Sequence, residues 1–547
     1  MRFLLPLLFC LMTPLVWADE SSDQAAIGPV AMINDHVEQT WRDFEIEPSP
    51  EVDDSLWCRR VHLDLIGRIP TLAELTAFMK DRGDDRRSNL VDRLLHDDRY
   101  TEEFARHWST VWTNILIGQS GGTDDRSMVS REGLGKYLRD SFARNKTYDR
   151  LVYELITATG STKPGTENFN GAVNFLIDKV NDEKGSLATS STSRLFLGLQ
   201  VQCTQCHDHP FNQWKQQKFW EFNSFFRQTR ALRRFVEGTN VISHGELVDE
   251  DFEGEAYDPD NALVYYEKRN GEIEAAYPVF TDGSAIAVSG FLSEVNRREL
   301  LAGKILDSPF MDRMIVNRMW AHFMGHGFTR PIDDLGPHNA PTHPELLDDL
   351  ATAFRGSSYD MKALMRWITL SMPYQLSSKL SRSNESDDPS IGETPKFSRF
   401  YLRQMTAEQL YASMLVVSGA TGSGSYEQQE QQRQQWLGQF VTAFGNDEGA
   451  ESTSFNGSIP QALMMFNGEL TAAAISDVPG STLAKVAGSG RNAVDRLNTL
   501  FRIGLSRPAT KNEQKVAAAI YRRDGEALML QDMWWAVLNS NEFILQH

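Results

Sequence analysis

At 547 residues the chain is too long for a single hydrophobic core. With 41% apolar and 24% charged residues it is ordinary globular material and not a disordered tail. Its 74 acidic side chains outnumber 55 basic ones, a formal net charge of −19, which argues against nucleic-acid and anionic-lipid partners, since both need clustered Lys and Arg.

The N-terminus reads as an export signal. Arg2 is a short basic start, residues 3–17 are almost wholly apolar, and Val16-Trp17-Ala18 places small residues three and one positions before a cleavage after Ala18. Residues 1–18 are thus expected to be a signal peptide, too short for a permanent span. Cys10 follows Phe9, not the small residue a lipoprotein signal wants, and leaves with the signal. No later segment has the length and apolarity of a membrane helix, so the mature chain is expected in the periplasm or cell envelope without a span.

Residues 19–50 are polar and read as a linker. Over residues 51–235 the pattern is helical: Leu56, Trp57, Val61 and Leu65, then a capping box at Thr71–Glu74, then Leu90, Leu94 and Leu95, then Phe104, Trp108, Trp112 and Ile115. A helix from Ser191 is expected to run to Gln205, and Trp214 to Phe226 forms an aromatic helix. Residues 236–290, rich in Gly and acids with short apolar runs, read as a β-rich insertion. Helical periodicity returns over 291–547, with capping boxes at Thr342–Glu345, Thr406–Gln409 and Thr510–Glu513. The fold class expected is mainly α, a multi-helical two-part architecture with a small β-rich insertion.

One motif carries chemistry: Cys203-Thr204-Gln205-Cys206-His207. Covalent haem attachment needs two thiols for the two vinyl groups and an imidazole directly after the second thiol, so that it can reach the iron. An exported chain of this size with three mature cysteines is not a disulfide scaffold; Cys58 is expected to be a small buried hydrophobe. Two other readings fit the same residues. Cys203, Cys206, His207 and His209 are a complete donor set for zinc or another transition metal, and Cys203–Cys206 could be a redox pair or a structural disulfide.

These residues also carry a family resemblance. Phe196-Leu197-Gly198, the motif itself, Asp208-His209-Pro210-Phe211 and Trp214, with Arg59-Arg60 through Asp64, Gly67 and Pro70 upstream, resemble the planctomycete cytochrome-c-like domain. Val316-Asn317-Arg318-Met319-Trp320-Ala321-His322, Gly325-His326-Gly327, Asp333-Asp334, Pro341 to Leu347 and Pro460-Gln461-Ala462-Leu463 resemble its usual C-terminal companion. The resemblance covers nearly the whole mature chain and implies haem c on Cys203, Cys206 and His207; the biochemical role of both domains is unestablished. This chain has His326 where the family often has Arg, which sets His322 and His326 at i, i+4.

A haem held by His207 has a second axial position. His322 and His343 are the first candidates to fill it, with Met314, Met319 and Met324 as alternatives. Asp208 is a candidate to orient an imidazole. Asp333 and Asp334, with Glu345 nearby, form the densest carboxylate cluster in a motif; paired carboxylates can do general acid/base work or bind a hard cation, but the favoured reading is a turn salt-bridged to Arg318 or Arg330. The sequence therefore points to an exported c-type haem redox protein whose partner is an unknown redox or envelope protein. A non-haem metalloprotein and an envelope scaffold with a Cys203–Cys206 disulfide stand beside that reading. Whether the chain is an enzyme stays open.

Overall fold

The computed structural model describes residues 28–122, 124, 126–181, 185–210, 214–251, 264–419, 428 and 474–547. The expected signal peptide over 1–18, Phe211 and the segment 460–463 lie outside the described residues. The chain is mainly α with small sheets, as expected.

The expected linker contains the first helix, α1 (Pro29–Asp43), and this is a correction. Its only apolar stripe is Ile33, Val37 and Trp41, spaced i, i+4, i+8 and buried. Polar neighbours mask that stripe in the composition. The Trp41 indole N–H donates to the Lys396 carbonyl at 2.9 Å, tying the helix to the far half of the chain.

Six further helices build the first half: α2 (Asp54–Ile66), α3 (Leu72–Lys80), α4 (Arg86–His96), α5 (Asp98–Ile117), α6 (Arg131–Ala143) and α7 (Tyr148–Thr157). The Thr71–Glu74 capping box forms at the start of α3. Strands β1 (Gly160–Ser161), β2 (Thr229–Phe235) and β3 (Ile242–Asp249) make an antiparallel sheet in the order β1-β3-β2. Between β1 and β2 lie α8 (Ser186–Leu197) and α9 (Gln216–Asn223). A hairpin of β4 (Val264–Glu267) and β5 (Ile273–Ala276) completes the β-rich region.

The second half holds α10 (Arg297–Asp307), α11 (Pro309–Met324), α12 (Pro344–Gly356), α13 (Met361–Leu370) and α14 (Met372–Gln375). Strand β6 (Arg403–Gln404) precedes α15 (Ala407–Ser418), and after the undescribed stretch come α16 (Thr482–Ala487), α17 (Ala493–Leu505), α18 (Lys511–Asp524), α19 (Glu526–Leu538), α20 (Asn541–Ile544) and β7 (Leu545–Gln546). The capping boxes at Thr406 and Thr510 form as expected. The one at Thr342 does not: Pro344 takes the first helical position, so His343 is the N-cap and makes no side-chain cap bond.

Two hydrophobic cores organise these elements. The first runs from Ile33 to Tyr401, through both expected halves. The second gathers residues from Met405 to Phe543 and takes Leu63 and Ile69 from the N-terminal region. Apolar packing therefore divides after Tyr401 and not at the β-rich insertion. Helix α2 lies between the cores: Trp57, Val61 and Leu65 enter the first and Leu63 the second. A helix buried all round must satisfy its polar residues internally. Arg59 does so by donating to the carbonyls of Gly504 at 2.6 Å and Phe543 at 2.8 Å.

No helix among the described residues is long and apolar enough to cross a membrane.

Candidate functional site

The motif sits on a short turn whose start is set by a glycine. Helix α8 ends at Gly198, which adopts φ +62 and caps it, so the helix expected to reach Gln205 stops well short of the motif. A Cβ at Gly198 would stand 2.8 Å from Leu335 Cγ and 2.9 Å from Met314 Sδ. That close approach lets the Leu335 N–H donate to the Gly198 carbonyl at 2.7 Å, clasping the motif segment to the loop between α11 and α12.

A 3₁₀ turn follows over Gln202–Gln205. It exposes Cys203 and Cys206, both free thiols, while Thr204 is fully buried beneath them. The Thr204 hydroxyl donates to the Val201 carbonyl at 2.6 Å. The Gln205 carbonyl accepts from Gln216 Nε2 and from the Trp220 indole, each at 3.1 Å. Partial burial raises the Cys203 thiol above its ordinary value, whereas a thioredoxin-like nucleophile needs it lowered.

His207 follows the second thiol. Its Nδ1 lies 2.7 Å from the Asp208 carbonyl. A carbonyl only accepts, so Nδ1 carries the hydrogen and Nε2 the lone pair. The orienting group is thus the backbone of Asp208. Its carboxylate is occupied by Lys215 Nζ at 2.9 Å and the Gln216 N–H at 3.0 Å, and Lys215 holds it below the usual range.

Across the clasp, the His209 ring lies 5.2 Å from the His338 ring. His338 Nε2 is 3.0 Å from Asp334 Oδ2. Asp333 accepts from Arg194 at 2.9 Å and Gln200 at 2.6 Å. The acidic turn is salt-bridged through Arg194 and held by His338; Arg318 also donates to the Leu195 carbonyl, and Arg330 donates to the Pro389 carbonyl. A cleft of about 110 Å³ opens beside this contact, between Gln200, Val201 and Trp214 on one side and Asp334 and Pro337 on the other.

The remaining candidates lie among other neighbours. His322 packs against Trp108 and Phe323 with ring centroids 4.9 and 5.3 Å away. Part of that residue reaches solvent, but its Nε2 is buried without a hydrogen-bond partner among the described residues, and burial lowers its pKa to about 3. His343 lies between Phe328 and Phe397, and burial lowers it to about 4. Helix α11 ends at Gly325 with φ +85, so His326 falls beyond it and the i, i+4 pair with His322 does not share a helical face. Met314, Met319 and Met324 are buried core. Among the described residues no group of three or more His, Cys, Asp or Glu side chains could hold a metal ion. Cys58 is buried, as expected, and burial raises its thiol well above its ordinary value.

His338 is the residue that sequence reasoning passed over. Its local signal is Asp334 four residues earlier with Gly336 between, which acquires meaning only when the fold sets it against His209.

Residues 32–231 match the family PSCyt2, described as a protein of unknown function (DUF1549). Residues 297–456 match PSD1, described as a protein of unknown function (DUF1553). The two occur in the order that the resemblance implies. No curated protein and no solved structure matches the chain.

Proposed function

We propose that the chain is an exported c-type haem protein that transfers electrons to or from a redox or envelope partner. The carrying observation is the turn at 202–207: two exposed, unlinked thiols, followed by an imidazole whose Nδ1 is engaged by a backbone carbonyl. The donor set fits haem c. Each thiol can add across one vinyl group, sulfur to one carbon and hydrogen to the other, with no external oxidant. His207 presents Nε2, the nitrogen left to bind iron when Nδ1 donates to a carbonyl.

Haem, when bound, supplies a one-electron couple tuned by its axial ligands and by the dryness of its surroundings. The protein's own part is to hold the attachment turn rigid. Thr204 anchors it from below, Gln216 and Trp220 grip the Gln205 carbonyl, and the Gly198–Leu335 clasp fixes its distance from the opposite loop.

The test is an intact mass and a reduced-minus-oxidised visible spectrum of the mature chain, made in a periplasm with haem-attachment machinery. One added haem with sharp reduced bands is expected, and Cys203→Ser/Cys206→Ser should abolish it. An unmodified mass, beside a correctly processed control cytochrome, refutes the proposal. Elemental analysis of that sample would then separate a metal on Cys203, Cys206, His207 and His209 from a disulfide.

A further inference from the structure

We propose that the β2–β3 hairpin is a finger whose apolar tip dips into a bilayer surface carrying anionic headgroups, an inference that does not depend on the haem reading. Exposure rises along β2: Thr229 is buried, residues 230–232 are half-buried, and residues 233–241 are exposed without a break. The base of the hairpin is held by the body. The Thr162 N–H donates to the Gly245 carbonyl at 3.0 Å, and the Gly245 N–H donates to Thr162 Oγ1 at 3.0 Å. A Cβ at Gly245 would stand 2.8 Å from Met128 Cβ, so the strand lies flush against the first core there. Beyond that point the tip is apolar on both faces. Phe235 and Ile242 are cross-strand partners, and the Val236 N–H donates to the Val241 carbonyl at 2.9 Å. Successive residues of a strand point to opposite sides, so Phe235 lies on one face and Val236 on the other. Phe235, Val236 and Val241 are 54, 46 and 60% exposed. A flat protein surface covers one face of a ribbon, whereas a lipid interface surrounds its tip.

Charge selects the kind of bilayer. The net charge of −19 argues against an anionic partner for the molecular surface as a whole. The hairpin, however, gathers cations that the composition averages out: from Arg227 to Ile242 the chain has four arginines and one acid, Glu237. The acids of β3 are neutralised, Glu246 by Arg234 and Asp249 by Arg298. Arg230 and Arg233 have no ion-pair partner among the described residues, and Lys163, just beyond β1, is exposed. Arg230 and Arg233 follow the tip along the hairpin, at the level of headgroup phosphates when Phe235, Val236 and Val241 reach the acyl boundary.

The experiment sediments the full mature chain with vesicles of equal parts phosphatidylcholine and phosphatidylglycerol, and with vesicles of phosphatidylcholine alone. The wild type should bind the first and not the second, and added salt should weaken binding, because exposed charges are screened beyond about 10 Å at 0.1 M. Arg230→Gln and Arg233→Gln should each lower the partition coefficient about fivefold. Phe235→Ser/Val241→Ser should lower it by a comparable factor while keeping every cation, and Glu237→Gln should raise it. Circular dichroism and thermal midpoints of these variants should match the wild type, so lost binding is not lost folding. A wild type that does not bind the anionic vesicles overturns the proposal. An apolar variant that binds like the wild type also overturns it, because the contact then rests on charge without insertion. Self-association through Phe235 and Val241, with no vesicle binding, overturns it in favour of an interface between copies. None of these outcomes touches haem attachment.

Discussion

Replacing Asp64 with Ala should destabilise the protein by about 3–5 kcal/mol, the cost of removing one partner of a buried ion pair. Asp64 is fully buried on α2 and receives donors from three distant segments. Arg403 Nη2 lies 3.1 and 3.0 Å from its two oxygens, the Tyr374 hydroxyl 2.7 Å from Oδ2, and Gln546 Nε2 2.8 Å from Oδ1. Alanine leaves the Arg403 guanidinium, whose side chain is only 11% exposed, without its counter-charge. It also frees β6 and β7, since Arg403 and Gln546 are paired residues of that two-stranded sheet. Urea denaturation followed by tryptophan fluorescence reads the effect, because Trp57 and Trp108 report the first core and Trp534 the second. The midpoint should fall, and the Trp534 transition should separate from the other, since Asp64 joins the two cores. An apolar replacement of both charges, Asp64→Leu/Arg403→Met, should lose less than Asp64→Ala alone. A loss under about 1 kcal/mol for Asp64→Ala, or a double variant worse than the single one, would refute the reasoning.

His62 is fully buried, its Nε2 has no hydrogen-bond partner among the described residues, and burial lowers its pKa from 6.5 to about 4. The neutral ring therefore contributes full stability above pH 6.5, and this is lost as pH falls through about 4. The linkage is worth up to about 3 kcal/mol, so thermal midpoints of His62→Leu should fall less steeply between pH 7 and 4 than those of the wild type; equal slopes would count against it. Gly198→Ala places a Cβ into Leu335 and Met314 at a positive φ and should cost about 1–3 kcal/mol. Faster hydrogen exchange at the Leu335 amide would locate that damage at the clasp. Gln216→Ala removes the donor shared by the carbonyls of Gln205 and Glu267. It should cost about 1–2 kcal/mol and speed exchange over residues 202–206; unchanged exchange there would show that Trp220 alone holds the turn.

By itself the sequence determined what closes within a few residues. The capping boxes at Thr71, Thr406 and Thr510 are legible because cap and partner lie three positions apart. The cysteines and His207 are legible because the Cys-x-x-Cys-His spacing closes within one turn. Misreadings arose where one residue changed the local rule: Pro344 moved the N-cap to His343, Gly198 ended α8 early, and Gly325 ended α11 before His326. The tertiary structure alone decided which distant groups meet. Asp333 pairs with Arg194 across 139 positions, Asp64 with Gln546 across 482, and His338 reaches His209 from another part of the chain. No local pattern encodes those choices, because each follows from how the apolar faces of many helices pack. A buried carboxylate or imidazole then takes whichever partner that packing brings within hydrogen-bond reach.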